Sequence, residues 1–396
     1  MRLKTFTPSD VAGKKVLVRV DFNVPMQDGQ VTDVTRLESH IPTIKALIDM
    51  GARVSLLSHF GRPKGVADPK CSLKPVGEKF AEISGFKVRF VRDCTGPLVE
   101  DAVAAQIDEV LMLENVRFHA DESKNSPEFA RKLAAPFCAY VMDAFSVAHR
   151  AHTSTRALTE ILPSFAGHLM AKEITMLSAP CEKPEKPYVL ILGGSKVSDK
   201  IGVVENMLDK TDYVLVGGGM AFTFMKALGY EIGRSLCETE KLGFAAEMLR
   251  KAEKLGVKIV LPKDFIFADE FRADSPYITV DADNMPASKI GLDIGPKTVA
   301  EFTEIIHNAK TVLWNGPMGV FEMPTFAEGT RLVAKAIAEA TEKGALTIAG
   351  GGDSAAAATL FGFAKQVSHV STGGGASLEF FEGKMLPGIE PYIIKE

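Results

Sequence analysis

Short apolar runs recur along the whole 396-residue chain, and segments with helical periodicity separate them. The runs are rich in β-branched residues and lack strict apolar–polar alternation, which is typical of strands buried on both faces of a parallel sheet. Strands that alternate with helices in this way predict parallel sheets with right-handed crossover connections. We predict strands at Val16–Val20, Val54–Leu57, Val88–Val91, Val110–Leu113, Ala139–Met142, Tyr188–Leu192, Tyr213–Val216, Val257–Leu261, Thr311–Trp314, Leu346–Ala349 and Val367–Val370.

The chain is too long for one ordinary hydrophobic core, since a domain typically holds about 100–200 residues. We therefore predict an α/β fold of two domains, each a doubly wound, mainly parallel sheet flanked by helices. A helix at Leu169–Ser178 and a polar, proline-punctuated connector at Pro180–Pro187 mark the boundary. The predicted parts are an N-terminal domain at 1–170, a hinge helix and linker at 171–187, and a C-terminal domain at 188–386. A moving hinge and an ordinary link without motion fit this boundary equally well.

Eight further helices are predicted between the strands. They are Thr35–Met50, Leu73–Ile83, Ser126–Leu133, Lys200–Leu208, Ala221–Leu228, Lys241–Lys254, Ala327–Lys343 and Ser354–Phe361.

The composition is that of a soluble globular protein, with 46% hydrophobic and 24% charged residues. A net charge of −4 gives no reason to expect nucleic acid or an anionic membrane as a partner. The five cysteines are scattered without a C-x-x-C pair, which favours reduced thiols in a cytosol over a disulfide frame or a zinc site. No signal-like N-terminus and no apolar stretch of about 20 residues is present. We predict a cytoplasmic protein without a membrane partner.

Polar clusters follow nearly every apolar run, and they differ between the two halves of the chain. In the first half they are basic, at Arg19–Asn23, Ser58–Pro63, Glu114–Arg117 and Asp143–Arg150. In the second half they are glycine-rich, at Gly193–Lys196, Gly217–Gly219, Asn315–Gly319, Gly350–Asp353 and Gly373–Gly375. Ligands of open parallel sheets bind beyond the carboxyl ends of the strands. The first half therefore predicts a site for a small anion, the second a site for nucleotide phosphates, and the pair indicates transfer between two ligands.

Lys196 and Lys200 lie in the segment Gly193–Lys200, directly after a predicted strand. Glycines let the backbone approach a phosphate, a helix N-terminus favours negative charge, and lysine adds a point charge. The spacing is not that of a Walker A loop. The alternative is a tight strand-to-helix turn with two solvated lysines.

A second glycine-rich loop, Gly350–Gly352, precedes Asp353 and Ser354 and an alanine-rich helix. Its backbone amides suit a phosphate, and Asp353 could hold the accompanying magnesium ion. Asp353 could equally be a helix N-cap. The loop Gly373–Gly375 has the same form. Three such loops in one domain exceed what packing requires.

Basic residues gather near strand ends in the first half: Arg36, Arg62, Arg117 and Arg150, with His59 and His149. The planar guanidinium of arginine binds carboxylate or phosphate through two hydrogen bonds. A single surface arginine is more often solvated, but four at similar positions favour a binding site. Asp21 and Asn23 could hold a substrate hydroxyl or cap the turn after their strand, and Glu322 could bind a ribose hydroxyl or face solvent. His149 and His152 have H-x-x-H spacing, but no third ligand cluster supports a metal.

These segments together resemble the phosphoglycerate kinase family. The resemblance rests on Val18–Pro25, Ser58–Pro63, Leu113–Phe118, Gly193–Lys200, Trp314–Glu322 and Ser371–Gly375, in order and with matching spacing over essentially the whole chain. Departures from the family pattern are small. Phe60 stands where leucine is usual, Ser354 where threonine is usual, and Lys263 interrupts a typically apolar stretch.

The resemblance implies roles for individual residues. A 3-phosphoglycerate site in the N-terminal domain would use Asp21, Phe22, Asn23, Arg36, His59, Phe60, Gly61, Arg62, Arg117 and Arg150. A nucleotide site in the C-terminal domain would use Lys196, Lys200, Gly291, Glu322, Gly351, Gly352, Asp353 and Ser354, with Asp353 as the metal ligand. The phosphoryl group in transfer would be surrounded by Arg36, Lys196, Gly373, Gly374 and Gly375. The last segment, Pro387–Glu396, would return to the N-terminal domain.

The implied activity is reversible phosphoryl transfer between 1,3-bisphosphoglycerate and ADP, giving 3-phosphoglycerate and ATP, a step of glycolysis and gluconeogenesis. The enzyme would be a kinase with a carboxyl group as acceptor, using Mg²⁺ bound with ADP or ATP, and acting as a monomer by in-line transfer after hinge closure. Two other classes were weighed. A nicotinamide-dependent dehydrogenase lacks support because no G-x-G-x-x-G follows a strand. A catalytically silent binding protein is disfavoured by the presence of Arg36, Lys196, Lys200 and Asp353.

Overall fold

The structure, a computed structural model, describes residues 1–394. Lys395 and Glu396, the end of the segment predicted to return to the first domain, lie outside the described residues. The chain forms two compact units. One comprises Met1–Thr175 together with the chain from Met385 onward, and the other comprises Met176–Lys384.

The described part of the C-terminal segment bonds to the first unit. The Gly388 N–H donates to the Ala148 carbonyl at 2.8 Å, and the Ile394 N–H donates to the Arg2 carbonyl at 3.0 Å.

In the first unit, parallel strands form a sheet of order β5-β6-β4-β1-β7-β8, and β2 and β3 form a separate antiparallel hairpin. The strands are β1 (Lys15–Arg19), β2 (Met26–Gln27), β3 (Gln30–Val31), β4 (Arg53–Leu57), β5 (Val88–Val91), β6 (Val110–Leu113), β7 (Ala139–Met142) and β8 (Ser164–Ala166). Arg19 at the end of β1 lies opposite both Leu57 of β4 and Met142 of β7. The carboxyl ends of these strands therefore meet at one edge of the sheet.

Helices cover the sheet and begin with the signals that the sequence carries. They are α1 (Pro8–Val11), α2 (Thr35–Asp49), α3 (Lys74–Ser84), α4 (Pro97–Ala104), α5 (Pro127–Ala134) and α6 (His168–Glu182). Pro127 opens α5 after Ser126, whose hydroxyl accepts the Phe129 N–H at 3.3 Å. Gly85 ends α3 in the left-handed region at φ 70°.

The chain passes from one unit to the other within α6. The predicted end of this helix at Ser178 was wrong, because the helix continues through Pro180 to Glu182. Proline removes one backbone donor. The Lys183 N–H nevertheless still bonds the Ala179 carbonyl, at 3.3 Å. The turn around the proline therefore survives, and the connector is shorter than the sequence indicated.

The second unit repeats the scheme around a sheet of order β11-β10-β9-β15-β16-β17, all of it parallel. Its strands are β9 (Tyr188–Leu192), β10 (Tyr213–Val216), β11 (Lys258–Val260), β12 (Asp264–Ala268), β13 (Tyr277–Asp281), β14 (Ile290–Ile294), β15 (Thr311–Asn315), β16 (Leu346–Ala349) and β17 (His369–Val370). Its helices are α7 (Ile201–Met207), α8 (Met220–Ala227), α9 (Leu242–Leu255), α10 (Pro296–His307), α11 (Glu328–Glu342), α12 (Gly352–Leu360) and α13 (Gly375–Phe381). The α/β fold with parallel sheets flanked by helices is confirmed.

The second unit also contains an antiparallel sheet, β13-β12-β14, which was not predicted from the sequence. One of its strands, β13, lacks the continuous apolar character of the parallel strands, since it is exposed at four of its five residues. Antiparallel strands also need no intervening helix, so the alternation that reveals a parallel sheet is missing. This small sheet supplies Gly291 to the site described below.

Buried apolar residues of both units pack between the sheets and the helices. In the second unit, Trp314 at the end of β15 is fully buried, as expected for a core residue, and it packs with Ile191, Met318 and Phe302. No helix within residues 1–394 is long and apolar enough to cross a membrane.

Asp143, directly after β7, fixes the start of α6. Its Oδ2 lies 2.8 Å from His40 Nδ1, and its Oδ1 accepts the backbone N–H groups of Leu169 and Met170 at 3.0 and 3.4 Å. A negative charge near a helix N-terminus is favourable, and Asp143 is completely buried. A Cβ on Gly167 would lie 2.1 Å from Asp143 Oδ1, so the neighbouring turn requires glycine.

We expect Asp143→Ala to lower the free energy of unfolding by about 3–5 kcal/mol, because it leaves buried partners unpaired. The matched control is Asp49→Ala, which removes an aspartate whose pair with Lys45, at 2.8 Å, is exposed on both sides. Asp49→Ala should lower the free energy of unfolding by less than about 1 kcal/mol. Urea unfolding followed by circular dichroism measures both. Equal losses for the two variants would contradict the anchoring role of Asp143.

Candidate functional site

The carboxyl-end edge of the first sheet carries a cluster that we call the basic site. It comprises Arg19, Asp21, Asn23, Arg36, His59, Gly61, Arg117 and Arg150. Arg19 and Asp21 end or follow β1, His59 and Gly61 follow β4, and Arg117 lies in a short 3₁₀ helix, Val116–Phe118, after β6. The parallel register of these strands brings together residues that are far apart in sequence.

Arg36, in the first turn of α2, is held against the loop after β1. Its Nη1 donates to Asp21 Oδ2 at 3.1 Å and to the Asn23 carbonyl at 2.8 Å. The side chain of Arg36 remains 40% exposed, whereas that of Asp21 is only 6% exposed. The guanidinium is thus oriented by the protein while part of it still faces solvent.

A chain of hydrogen bonds continues across the sheet edge from β1 to β6. Asn23 Oδ1 accepts the Gly61 N–H at 2.9 Å, and Arg117 Nη1 donates to the Gly61 carbonyl at 2.8 Å. Asn23 therefore holds the loop after β4 instead of capping its own turn. Gly61 links the amide of Asn23 to the cation of Arg117.

Arg19 is almost completely buried, at 1% exposure, and sequence reasoning did not single it out from its cluster. Its Nε donates to Ser154 Oγ at 2.9 Å and its Nη2 to His59 Nδ1 at 3.2 Å. The same Ser154 hydroxyl donates to buried Glu122 at 2.6 Å. The sequence did offer one signal for Arg19. An arginine at the end of an apolar strand is expected to be buried, and a buried charge needs an acidic or hydrogen-bonding partner.

The charges of the basic site set the ionisation of its acid and its histidine. Burial lowers the pKa of His59 well below its usual value, and Arg19, Arg117 and Arg150 add repulsion. Burial opposes ionisation of Asp21, but His59, Arg36 and the Ser146 hydroxyl outweigh it and lower the pKa of Asp21 to about 2. His59 is uncharged near neutral pH, so the positive charges that stabilise the Asp21 carboxylate at that pH are those of the arginines.

The remaining residues assigned to the first site differ in placement. Arg62 is exposed and makes no hydrogen bond or ion pair among residues 1–394. Arg150 Nε lies 3.2 Å from His149 Nε2, and its charge acts on Arg117, whose pKa is lowered to about 10 chiefly by burial. Phe22 and Phe60 are buried in the core, so their side chains face away from any ligand.

A cleft of about 210 Å³ lies at the strand ends of the second unit. Gly291, Glu322 and Asp353, three of the residues assigned to the nucleotide site, line it together with the loops around Gly194 and Gly218. Its apolar walls are Phe222, Leu236, Phe265, Met318 and Val320. A Cβ on Gly291 would lie 2.1 Å from the Phe222 ring, so glycine is required at this wall. The cleft fits a flat apolar group with polar groups at its edges.

Two lysines approach the glycine loops from the start of α7. Lys200 Nζ donates to Asn315 Oδ1, and Asn315 Nδ2 donates to the Gly350 carbonyl at 2.9 Å. Burial lowers the pKa of Lys200, opposed by Asp353 and Asp199. Lys196 lies in the preceding loop and is exposed. One cation is therefore fixed by the protein and the other faces solvent.

Buried Ser377 joins the two glycine loops that the sequence analysis treated separately. Its hydroxyl accepts the Gly351 N–H at 3.1 Å and donates to the Gly374 carbonyl at 2.8 Å. Gly351, at φ 94°, precedes α12 without a side-chain cap. Because Gly351 has no side chain, the residue before α12 does not cap the first backbone N–H groups of that helix. Ser377 had no distinguishing signal in the sequence.

Ser354 does not line the cleft. It is completely buried, and its hydroxyl accepts the Gly316 N–H at 2.7 Å. The side chain therefore shapes the loop after β15. Asp293, by contrast, lines the cleft although it was not assigned; burial raises its pKa to about 8, opposed by hydrogen bonds from the Gly329 and Ile294 N–H groups.

Comparison with known proteins gives one consistent result. The family model described as "Phosphoglycerate kinase" matches residues 6–384. Phosphoglycerate kinase of Thermosipho africanus is 53% identical over 98% of this chain and 97% of its own length. Cytosolic phosphoglycerate kinase of Triticum aestivum is 52% identical over 97% and 96%. The solved phosphoglycerate kinase of Coxiella burnetii superposes with a TM-score of 0.87 at 40% identity, covering 96% of each chain. This chain belongs to the phosphoglycerate kinase family.

Proposed function

We propose that this chain catalyses reversible phosphoryl transfer between 1,3-bisphosphoglycerate and ADP, giving 3-phosphoglycerate and ATP. The assignment of residues rests on one observation. Each unit has a site at the carboxyl ends of its strands, and the two sites differ in chemistry. One is the basic site, in the first unit. The other is the glycine-lined cleft in the second unit, where Gly291, Glu322 and Asp353 meet.

The cleft and the loops beside it offer a surface for each part of a nucleotide. Its apolar walls, including Phe222 and Leu236, suit a purine base. Its open loops and the N-terminus of α12 present backbone amides, and a helix N-terminus favours phosphate. Glu322 lines the cleft and is exposed, and in this proposal it accepts a hydrogen bond from a ribose hydroxyl. Lys196 and Lys200 add positive charge for the phosphoryl chain.

Asp353 is our candidate ligand for the Mg²⁺ that accompanies ADP or ATP. Its carboxylate is exposed and lines the cleft beside the amides of α12. Mg²⁺ prefers oxygen ligands and is commonly held by one or two carboxylates plus substrate phosphates, so the residues present fit the ion. When bound, the ion neutralises charge on the phosphate oxygens.

The basic site suits a substrate with a phosphate at one end and a carboxylate at the other. In this proposal Arg36, Arg117 and Arg150, together with Arg62 from the loop after β4, supply the guanidinium groups. Asp21 is the residue proposed to bind the substrate hydroxyl. The acceptor carboxylate is already ionised at neutral pH, so no general base is needed. Catalysis then rests on alignment and charge stabilisation of the group in transfer.

Arg36 and Lys196 belong to different units. The guanidinium of Arg36 is held by Asp21 and the Asn23 carbonyl, whereas Lys196 is exposed. In the proposed reaction they stabilise the transferring phosphoryl group from opposite sides, together with amides of Gly373, Gly374 and Gly375. This requires the units to close about the hinge before in-line transfer. Closure also excludes water, which would otherwise hydrolyse the acyl phosphate.

Further features of the protein belong to the same proposal. We propose a monomer with small-molecule substrates as its partners. A cytoplasmic location is also proposed, in agreement with a relative from Triticum aestivum that is named cytosolic. Ser354, Phe22 and Phe60 act through the backbone and loops that they position, since their side chains are buried.

His59 of the basic site and His152, which lies near its arginines, both have a lowered pKa, so near neutral pH they add no positive charge to that of the arginines. Burial first, and then Arg117, Arg19 and Arg150, lower the pKa of His152 to about 4. Between this value and about 6.5 the unfolded chain binds a proton that the folded chain does not. The resulting stability is therefore fully present above about pH 6.5 and is lost as the pH falls toward 4.

We expect the free energy of unfolding of the wild type to fall by about 2 kcal/mol, relative to that of His152→Gln, when the pH is lowered from 6.5 to 4. Urea unfolding across this range measures the difference, and His307→Gln is the control at a surface pair with Glu339. A His152→Gln difference that does not change with pH would contradict the buried neutral state.

We expect Lys196→Ala to reduce kcat by about 10³-fold, with 3-phosphoglycerate binding nearly intact, because one cation around the transferring group is lost. Purified protein is assayed with 3-phosphoglycerate, Mg-ATP and a coupled reporter of 1,3-bisphosphoglycerate. Lys251→Ala, at an exposed position of α9, is the control. Turnover near that of the wild type would defeat the assigned role. No turnover in folded wild type that still binds nucleotide would favour a silent binding protein.

We expect Arg62→Ala to raise the KM for 3-phosphoglycerate roughly 10- to 100-fold with a smaller effect on kcat, since a charge-assisted hydrogen bond is lost. The same assay with varied 3-phosphoglycerate measures it. Arg131→Ala, an exposed arginine of α5, should leave the KM unchanged. A KM for Arg62→Ala equal to that of the control would remove Arg62 from the substrate site.

A further inference from the structure

Potential metal ligands meet at the strand edge beside the basic site. Asp93 and Cys94 lie in the loop after β5, and His119 follows the 3₁₀ helix Val116–Phe118 after β6. β5 and β6 are parallel neighbours, with Val91 opposite Leu113. Their carboxyl ends therefore bring the two loops together. One carboxylate oxygen, the sulfur and one imidazole nitrogen all lie within 4.8 Å of one another.

The three side chains are already oriented. Asp93 Oδ1 accepts the Cys94 N–H at 2.7 Å and lies 2.9 Å from His119 Nε2. The His119 ring stacks on Phe129 with centroids 4.9 Å apart. The Glu114 N–H also donates to the Asp93 carbonyl, at 3.3 Å. The cluster is therefore fixed by backbone and ring contacts that do not involve the sulfur.

Cys94 is the unexplained member of the cluster. Its side chain is 1% exposed, and its sulfur makes no hydrogen bond within the part of the chain that the structure describes. Burial, and then the carboxylates of Asp93, Glu122 and Glu114, raise the pKa of the Cys94 thiol. A buried thiol that serves only packing gains nothing from acidic neighbours, whereas a cation beside the sulfur would be stabilised by them.

We propose that Asp93, Cys94 and His119 bind a divalent transition-metal ion of the zinc type. Thiolate, imidazole and carboxylate are the ligands that Zn²⁺ takes in proteins, and three protein ligands leave a fourth position for water. The side chains of Asp93 and His119 are 40% and 33% exposed, so the ion has a path from solvent. The scattered cysteines had led us to expect no zinc site, because this arrangement has no C-x-x-C spacing.

Binding changes protonation but needs no other reactant. The Cys94 thiol releases its proton to solvent, and neutral His119 carries its proton on Nδ1, which leaves the Nε2 lone pair for the ion. Asp93 exchanges its contact with His119 for the ion. The product is a metal-bridged cross-link between the loops after β5 and β6.

This cross-link would lie next to the basic site and would share no residue with it. His119 is two residues from Arg117, and its carbonyl accepts the Glu122 N–H at 3.1 Å. The ion would therefore stiffen the segment that carries Arg117. The site does not depend on the proposed kinase function, since it involves neither nucleotide nor 3-phosphoglycerate.

The test is a titration of chelator-treated full-length protein with Co²⁺ and then Zn²⁺, without substrates. We expect one equivalent of Co²⁺ to give a thiolate-to-cobalt charge-transfer absorption that Zn²⁺ abolishes by displacement. Cys94→Ala should lose this absorption, and competition with a chromophoric chelator should show at least tenfold weaker Zn²⁺ binding. His119→Gln should weaken Zn²⁺ binding similarly.

Cys138→Ala is the control, since Cys138 is an exposed cysteine of the same unit. It should keep the absorption and the wild-type affinity. Circular dichroism and thermal unfolding in chelator establish that each variant is folded, and His119→Gln tests the proposal separately if Cys94→Ala does not fold. No thiolate absorption in the wild type, or an absorption that persists in Cys94→Ala, would overturn the proposal.

Discussion

The parallel direction of β1, β4, β6 and β7 is the constraint on which the first site depends. It aligns their carboxyl ends and so gathers positive charge at one edge, including an arginine that is almost completely buried. Charge of one sign in a low-dielectric environment is costly unless it is compensated and hydrogen-bonded. Asp21 and Glu122 supply that compensation from inside the protein. The guanidinium of Arg36 is oriented by Asp21 and Asn23 while part of it still faces solvent, which favours recognition of a small anion.

The same constraint produces a different surface in the second unit. There the strand ends carry glycines, and the polar groups at the edge are backbone amides instead of arginine side chains. Asn315 and Ser377 hold these loops to one another and to Lys200. An amide is a dipole with no net charge, so it can be buried closely around a phosphate with little desolvation cost. One architecture therefore yields a cationic strand edge in the first unit and an amide-lined cleft in the second, and the proposed residue assignments rest on this difference.

Most of the parallel strands could be predicted from the sequence because each is a local apolar run, and several bounds, such as Val88–Val91 and Tyr188–Leu192, agree with the structure. The helix through Pro180 was not predictable because tertiary packing overrode a local preference. The antiparallel sheet was missed because β13 is mostly exposed. At the site, Gly291, Glu322 and Asp353 do meet, whereas Ser354 points into the protein.

The sequence by itself determined the alternation of strands and helices and the chemical character of each strand end, because both are written in short, contiguous segments. Only the tertiary structure decided which of those groups face a ligand and which hold the protein together. Arg19 turns inward to Glu122 and His59 while Arg62 turns outward, although both stand at strand ends. It also decided that Cys94 meets His119. The reason is physical: strand register and crossover connections set contacts between distant segments, and no local pattern records them.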